Sequence, residues 1–290
     1  MCLLCDLKSA HASGSAESSS HVWSSRRAFV LAGAAAAAGA ALPAAAQVEV
    51  GKSSSLRRLV PADQLEAAAS QQYLQVMQAA QSKQVLLPNS HPQVQRLQTI
   101  ARRIIPHTHA WNPRAKEWKW AVNLIQSDQI NAFCMPGGKI AFYTGILDKL
   151  QLTDDETAMI MGHEMAHALR EHARERMAKS GATNLGLRLG AQLLGLGDLG
   201  DLAAGMGAQL LTLRFSREDE SEADLVGLEL AARAAYLPRA SVSLWQKMTK
   251  AGGGAGPGFL STHPSGPNRI RELEANLPKV QGLYEAAKRG

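Results

Sequence analysis

The sequence predicts an α+β fold that is mainly helical, with a small β-hairpin or sheet at the rim of a cleft. Three observations carry this. Apolar residues recur at helical spacing in several segments between Pro61 and Leu277. The period switches to two residues only from Trp118 onward. The segment from Thr153 to Gly181 has a helix-start signature and places His163 and His167 one turn apart.

At 290 residues the chain can form one sizeable domain or two small ones with ample core. Hydrophobic content of 46% and charged content of 19% are those of an ordinary globular protein. The formal charge of +6 is mild, Lys and Arg are scattered, and aromatics are few, so no nucleic-acid partner is expected. Of the three cysteines, Cys2 and Cys5 precede an apparent leader, and Cys134 stands alone after it. One thiol forms no internal disulfide, so cysteine usage does not decide the redox compartment.

The elements follow in chain order. Residues 1–46 read as a signal region. Arg26 and Arg27 precede Phe29 and an alanine-rich apolar run to about Leu42, and Ala44-Ala45-Ala46 supplies an A-x-A cleavage site before Gln47. The arginine pair resembles a twin-arginine export signal, which implies a periplasmic location for a chain that folds before crossing the membrane. A transmembrane helix is the poorer reading, because the run is short, rich in Gly and Ala, and ends at Pro43. Residues 47–60 are expected as a polar linker, 61–280 as a single domain, and 281–290 as a tail.

Pro61 to about Val85 and Pro92 to Ile105 read as scaffold helices, with Leu65, Tyr73 and Met77 inward on the first and Val94, Leu97, Ile100 and Ile104 inward on the second. His91, His107 and His109 fall near helix ends or in the following loop and are expected as capping or surface residues. Trp118, Trp120, Val122 and Leu124 alternate with polar or small residues as in a half-buried strand. The stretch Asn131-Ala132-Phe133-Cys134-Met135 precedes Pro136-Gly137-Gly138, a tight turn into a second β segment. A strand at this place can form a cleft rim to which an extended peptide adds itself, so Asn131, Ala132, Phe133, Cys134 and Met135 are candidate substrate-binding residues. Thr144 is expected to cap a short helix through Leu150.

Thr153 and Glu156 form a capping-box pattern, and Asp154 and Asp155 favour the positive end of the helix dipole. Helix-forming residues carry the pattern on, with Gly181 as a plausible stop. His163 and His167 leave one face a turn apart, a spacing that lets two imidazoles hold one zinc, and Glu164 between them can take a proton from water there. His172, five residues past His167, is expected to point to solvent among Arg170, Glu171 and Arg174. The stretch 182–213 is rich in Gly, Leu and Ala and suggests two short helices and a turn, packed internally or forming a lid or peripheral membrane contact.

Ser216 to Leu237 reads as the second chemical helix. Glu220 and Asp224 lie four apart with Ala223 and Gly227 on the same side, and such small residues permit a close approach to the first helix. Glu220 can supply a third ligand and Asp224 can accept a hydrogen bond from a ligating histidine. Glu222 competes for the ligand role, and at about 200° from Glu220 the two cannot both face the metal. Spacing alone leaves that choice open. Glu218 and Asp219 read as a solvated face. Trp245 lies on a further helix, residues 251–258 form a glycine-rich loop, and the His263-Pro264 segment leads through Arg269 into a helix ending near Leu277. His263 reads as structural, or as an oxyanion stabiliser or removable fourth ligand.

The His163-Glu164-x-x-His167 motif, the Glu220-x-x-x-Asp224 motif and the segment from Asn131 to Gly138 together resemble the zinc metalloendopeptidases of family forty-eight, the group that includes HtpX, the CAAX prenyl protease and BepA-like periplasmic proteases. The similarity covers roughly residues 90–277. It implies a zincin-like, gluzincin fold and one zinc ion per chain on His163, His167 and Glu220, with Asp224 behind the ligands. It also implies that Glu164 acts as general base in peptide hydrolysis, that His263 caps the metal and keeps the enzyme latent, and that Arg269 belongs to the catalytic set. Metzincin chemistry is excluded, because Ala173 stands where the third histidine would fall and Arg170 where glycine would. The resemblance further implies a short soluble periplasmic form acting on unfolded or misassembled envelope proteins. Cys134 departs from the small or apolar residues usual at its position. A chaperone-like polypeptide binder without proteolysis, and a lipid-surface adaptor using residues 182–213, are the alternative functions.

Overall fold

A computed structural model describes residues 48–179, 210, 213–251, 258–264 and 268–290. The leader, Gly181, nearly all of 182–213 and most of the glycine-rich loop lie outside the described residues. The element order is α1 (Ala62–Ser82), α2 (Pro92–Ile104), β1 (Ala121–Ile125), β2 (Ala132–Met135), β3 (Lys139–Tyr143), α3 (Thr144–Lys149), α4 (Asp154–Leu169), α5 (Arg217–Arg233), α6 (Ala240–Ala251), α7 (Phe259–Thr262) and α8 (Arg269–Arg289). The architecture is mainly helical with one three-stranded sheet, as the sequence predicts.

The sheet order is β1-β3-β2. β1 runs parallel to β3, with Ala121 opposite Lys139, and β2 runs antiparallel to β3, with Cys134 opposite Ile140. Gly137 and Gly138 turn the hairpin with φ of 82° and 75°, values that L side chains rarely adopt. β2 is therefore an edge strand. Below the sheet, α4 is the hub of the core. From Glu156 to its end every residue of α4 is buried, because sheet, α2, α5 and α6 pack around it.

α4 starts as its sequence dictates. The Thr153 hydroxyl accepts from the Glu156 N–H, and the Glu156 carboxylate accepts from the Thr153 N–H at 2.9 Å. α2 opens on Pro92, with His91 Nδ1 accepting from the Gln93 N–H. Its inward residues Val94, Leu97, Ile100 and Ile104 are all buried. α4 and α5 meet at two glycines. A Cβ on Gly162 would lie 2.7 Å from the Gly227 carbonyl oxygen, and one on Gly227 would lie 2.6 Å from the His163 nitrogen.

Several expectations need correction. Helix α4 ends at Leu169, and Glu171 takes a left-handed φ of 61° before a second helical run over 172–179. Ion pairs from Glu171 to Arg57 and Arg174 hold that break in place. Residues 48–60 are not a free linker. Val48 is 4% exposed within the main core and donates its N–H to Glu229, Ser55–Leu59 form a 3-10 turn, and the Val60 carbonyl accepts from Arg174. Thr144 is the first residue of α3, not its cap, and its hydroxyl bonds the Ser127 backbone instead. α8 does not end near Leu277 but runs through Pro278 to Arg289, so residues 281–289 are helical. Leu277 before the proline and Val280, Leu283 and Tyr284 after it keep an apolar face on the core, and that burial outweighs one missing backbone donor.

Candidate metal centre

The glycine contact between α4 and α5 sets the site, because it brings two imidazoles and a carboxylate to one point. His163 and His167 project from α4 with their Nε2 atoms 3.1 Å apart. Glu220, in the first turn of α5, lies with Oε2 3.5 Å from His163 Nε2 and Oε1 3.4 Å from His167 Nε2. His263 enters from the C-terminal end of α7 and places Nδ1 3.0 Å from Glu220 Oε1 and 3.4 Å from His163 Nε2. All four side chains are buried, each offers one ligand atom within 4.8 Å of the others, and the group could hold a metal ion.

Electrostatics agree with that arrangement. Burial works against ionisation of Glu220, but the facing His167 and His263 imidazoles hold its carboxyl far below the usual range. Burial pushes the His167 imidazole well below its ordinary value, against the pull of Glu220, so the neutral ligand form is favoured. For His263 burial also opposes charge, but the facing Glu164 and Glu220 raise its value above the ordinary one.

Glu164, on the same turn of α4, lies beside the cluster and lines one cavity with His167 and His263. Burial raises its carboxyl above the normal value, and the charges on His263 and His163 offset this in part. A backbone hydrogen bond from Cys134 ties it to β2, while Oε1 is buried without a hydrogen-bond partner and faces His263 Nε2 at 3.5 Å. A buried carboxylate oxygen left unmatched costs free energy unless a bound species answers it.

Glu164, His167 and His263 border a cavity of about 240 Å³. Asn131, Ala132, Phe133, Cys134 and Met135 line it too, so the predicted substrate strand and the predicted base share one space. The carbonyl of Ile130, just before that strand, accepts from the Phe259 N–H at 2.8 Å, which fixes α7 and His263 against it.

Behind the cluster lie the supporting groups. Asp224, one turn past Glu220, accepts from His163 Nδ1 at 2.9 Å. Arg269 reaches the same Asp224 through two nitrogens at 2.5 and 2.8 Å, and Glu220 through a third at 3.0 Å. Its guanidinium lies 3.2 Å from the ring centre of Trp245. Arg269 thus holds both carboxylates from the side away from the cavity. Trp245 in this part has no local signal, since α6 and α8 meet only in the folded chain.

Four more residues differ from the sequence reading or were not legible there. His172 is 2% exposed, not solvent-facing, because the break at Glu171 redirects the chain, and its Nδ1 lies 2.9 Å from His167 Nδ1. Glu222 faces His172 and Arg170 and not the cluster. Asp219 is buried and completes a capping box with Ser216, whereas Glu218 is exposed as expected. Phe215 stacks on His167 with ring centres 3.9 Å apart. His91 is a helix cap as expected, His107 is half-buried and His109 exposed.

Known proteins are similar to this chain in sequence. The chain is 35% identical over 205 residues to the mitochondrial metalloendopeptidase OMA1 of Schizosaccharomyces pombe, covering 70% of this chain and 58% of that one. It is 27% identical over 206 residues to the metalloprotease LoiP of Escherichia coli, covering 70% of this chain and 78% of LoiP. It is 28% identical over 162 residues to the beta-barrel assembly-enhancing protease of Yersinia pestis, covering 51% and 32%. The chain spans 58% and 34% of the OMA1 proteins of S. pombe and Arabidopsis thaliana. A family profile described as peptidase family M48 matches residues 91–277, well over half of the sequence and including every member of the cluster, and the chain belongs to that family.

Proposed function

We propose that this chain is a zinc-dependent metalloendopeptidase that hydrolyses peptide bonds in extended or misfolded envelope proteins after export to the periplasm. The observation that carries the reading is the convergence of His163, His167 and Glu220 beside a buried, unmatched Glu164 oxygen, with His167 and Glu164 lining a cavity bordered by an edge strand.

The donor set fits zinc. Two imidazoles and a carboxylate are the ligands of many catalytic zinc sites. Tetrahedral zinc with bonds near 2.0–2.1 Å separates its ligand atoms by about 3.3 Å; here the two Nε2 atoms lie 3.1 Å apart, with Glu220 Oε2 3.5 Å from that of His163 and Oε1 3.4 Å from that of His167. When bound, the ion supplies Lewis acidity toward a carbonyl oxygen and makes water nucleophilic at neutral pH.

The remaining chemistry belongs to the protein. Glu164, with its raised pKa, accepts the proton of the attacking water and returns it to the leaving amine. An extended substrate adds to β2 through backbone hydrogen bonds, which places its scissile bond over the cavity. His263 sits within the cluster, and in this reading it caps the metal and keeps the enzyme latent until it moves; its contacts with Glu220 and His163 support that role. Arg269 has a positioning role, since it touches Glu220 and Asp224 and not the cavity. The envelope location rests on residues 25–46, and the substrate class on the name of the beta-barrel assembly-enhancing protease.

The test is Glu164→Gln. Its zinc content by atomic absorption should equal that of wild type, while cleavage of unfolded casein falls by about 100- to 10,000-fold. Undiminished cleavage would overturn the assigned base. Chelator-insensitive casein binding with no cleavage by wild type would favour a polypeptide-holding protein instead.

A further inference from the structure

The two imidazoles of α4 have their outward nitrogens held by different groups. His163 Nδ1 is held by the Asp224 carboxylate, whereas His167 Nδ1 meets another imidazole, His172 Nδ1, at 2.9 Å. His172 Nε2 lies 3.4 Å from Glu222 Oε2. That oxygen in turn accepts from Arg170 Nε at 2.9 Å and Nη2 at 2.8 Å, and Arg170 also donates to the Gly51 carbonyl. The chain of contacts is buried at its inner end and opens to solvent at Glu222 and Arg170, whose side chains are 22% and 11% exposed.

We infer that His172 is a positioning residue for the metal centre: it fixes the tautomer and ring angle of His167 through a relay that ends on Glu222. The argument rests on the proposed zinc site and on hydrogen counting. For His167 Nε2 to present a lone pair to the cluster, its proton sits on Nδ1. That N–H needs an acceptor in a buried place, and the atom in reach is His172 Nδ1. His172 then carries its own proton on Nε2, which donates toward the Glu222 carboxylate. Each of the three groups has one arrangement that satisfies its neighbour, and that arrangement leaves His167 ready as a ligand before any ion arrives. Reversing the relay would place the proton of His172 on Nδ1, turn its bare Nε2 toward the Glu222 carboxylate, and leave Nε2 of His167 protonated against the ligand cluster.

Phe215 restrains the ring from the other side, stacked on His167 with an interplanar angle of 26°. The relay therefore sets the tautomer while the stacked ring limits rotation. Arg170 and Glu171 terminate α4 and steer His172 inward, so the helix break has a direct effect on the ligand.

The experiment compares wild type, His172→Ala, His172→Gln and Glu222→Leu as full chains without the leader. Histidine nitrogen shifts from long-range proton–nitrogen correlation report the His167 tautomer in zinc-free protein. Competition with a chromophoric chelator reports the zinc Kd. Wild type should show His167 protonated on Nδ1. His172→Ala should show a mixed or reversed tautomer and a zinc Kd weaker by about 10- to 100-fold. Glu222→Leu should move both readouts the same way by less, and His172→Gln, whose amide oxygen still accepts from His167, should stay near wild type. A wild-type tautomer and Kd in both His172→Ala and Glu222→Leu would overturn the inference. If His172→Ala does not fold, Glu222→Leu and His172→Gln decide alone. A wild type that binds no zinc would refute the proposed metal, yet the tautomer of His167 in the zinc-free protein would still decide the role of His172.

Discussion

His163 and His167 leave one helix, one turn apart, toward one point, yet their backs are held in different ways. Behind His163 stand a carboxylate and a guanidinium: Asp224 bonds the ring, and Arg269 bonds Asp224 twice and Glu220 once over the face of Trp245. Behind His167 stands His172, with Glu222 and Arg170 farther out and partly in water. The first support is charged, fully buried and built from helices α5 and α8. The second is relayed through a neutral ring and ends at the surface on the segment around Gly51. A metal ligand needs only that its far nitrogen be satisfied in one tautomer, and this molecule does so by two routes of unequal stiffness.

The largest effect is expected where the charged support is cut. Asp224→Ala takes the acceptor from His163 and two of three carboxylate contacts from Arg269, leaving a buried guanidinium held by Glu220 alone. Breaking a buried ion pair on one side costs about 3–5 kcal/mol. Removing the neutral relay at His172 leaves one buried N–H unmatched, about 1–3 kcal/mol. Urea unfolding of the zinc-free Asp224→Ala protein should show the larger loss. A loss no greater than that of His172→Ala would mean that the two supports do not differ in the way their burial indicates.

The parts of this comparison visible in the sequence are the local ones. The capping box of Thr153 and Glu156, the four-residue spacing of His163 and His167, and that of Glu220 and Asp224 are properties of single helices, and each stands in the structure as the spacing implies. The turn at Gly137 and Gly138 is equally local. His172 was hidden because its direction depends on where α4 stops. A continuous helix carries it away from the metal face, whereas the left-handed Glu171, paired with Arg57 and Arg174 from distant segments, carries it inward. The same holds for Trp245 under Arg269 and for Val48 in the core, whose partners lie far along the chain. Asp219 is a different case. Ser216 and Asp219 form a capping pair that the sequence shows, but a run of acidic residues also fits a solvated face.

An intermediate effect is expected from a change that disturbs both supports at once. At Gly227 an added Cβ meets backbone atoms of Gly162 and His163 at 2.6 to 2.9 Å, and backbone cannot rotate out of the way as a side chain can. Gly227→Ala should therefore push α5 from α4, lower stability by about 1–3 kcal/mol and weaken zinc binding. Thermal unfolding and chelator competition together check this. Unchanged zinc affinity in a destabilised protein would show that the cluster does not depend on the close helix contact.

The smallest effect concerns acid. Burial of Glu222 opposes its charge, but the hydrogen bond from His172 and the Arg170 guanidinium outweigh that and hold its carboxyl below the ordinary value of 4.5. A carboxyl depressed in the folded state contributes stability above its unfolded pKa and loses it as pH falls through the folded one. In zinc-free protein, the stability difference between wild type and Glu222→Gln should thus be largest at neutral pH and shrink as pH falls below 4.5. Since the Glu222 side chain is 22% exposed, solvent screens the pair and the difference stays modest. A difference that does not change with pH would place the stability of the His167 support in packing against Phe215 and not in the charge at its outer end.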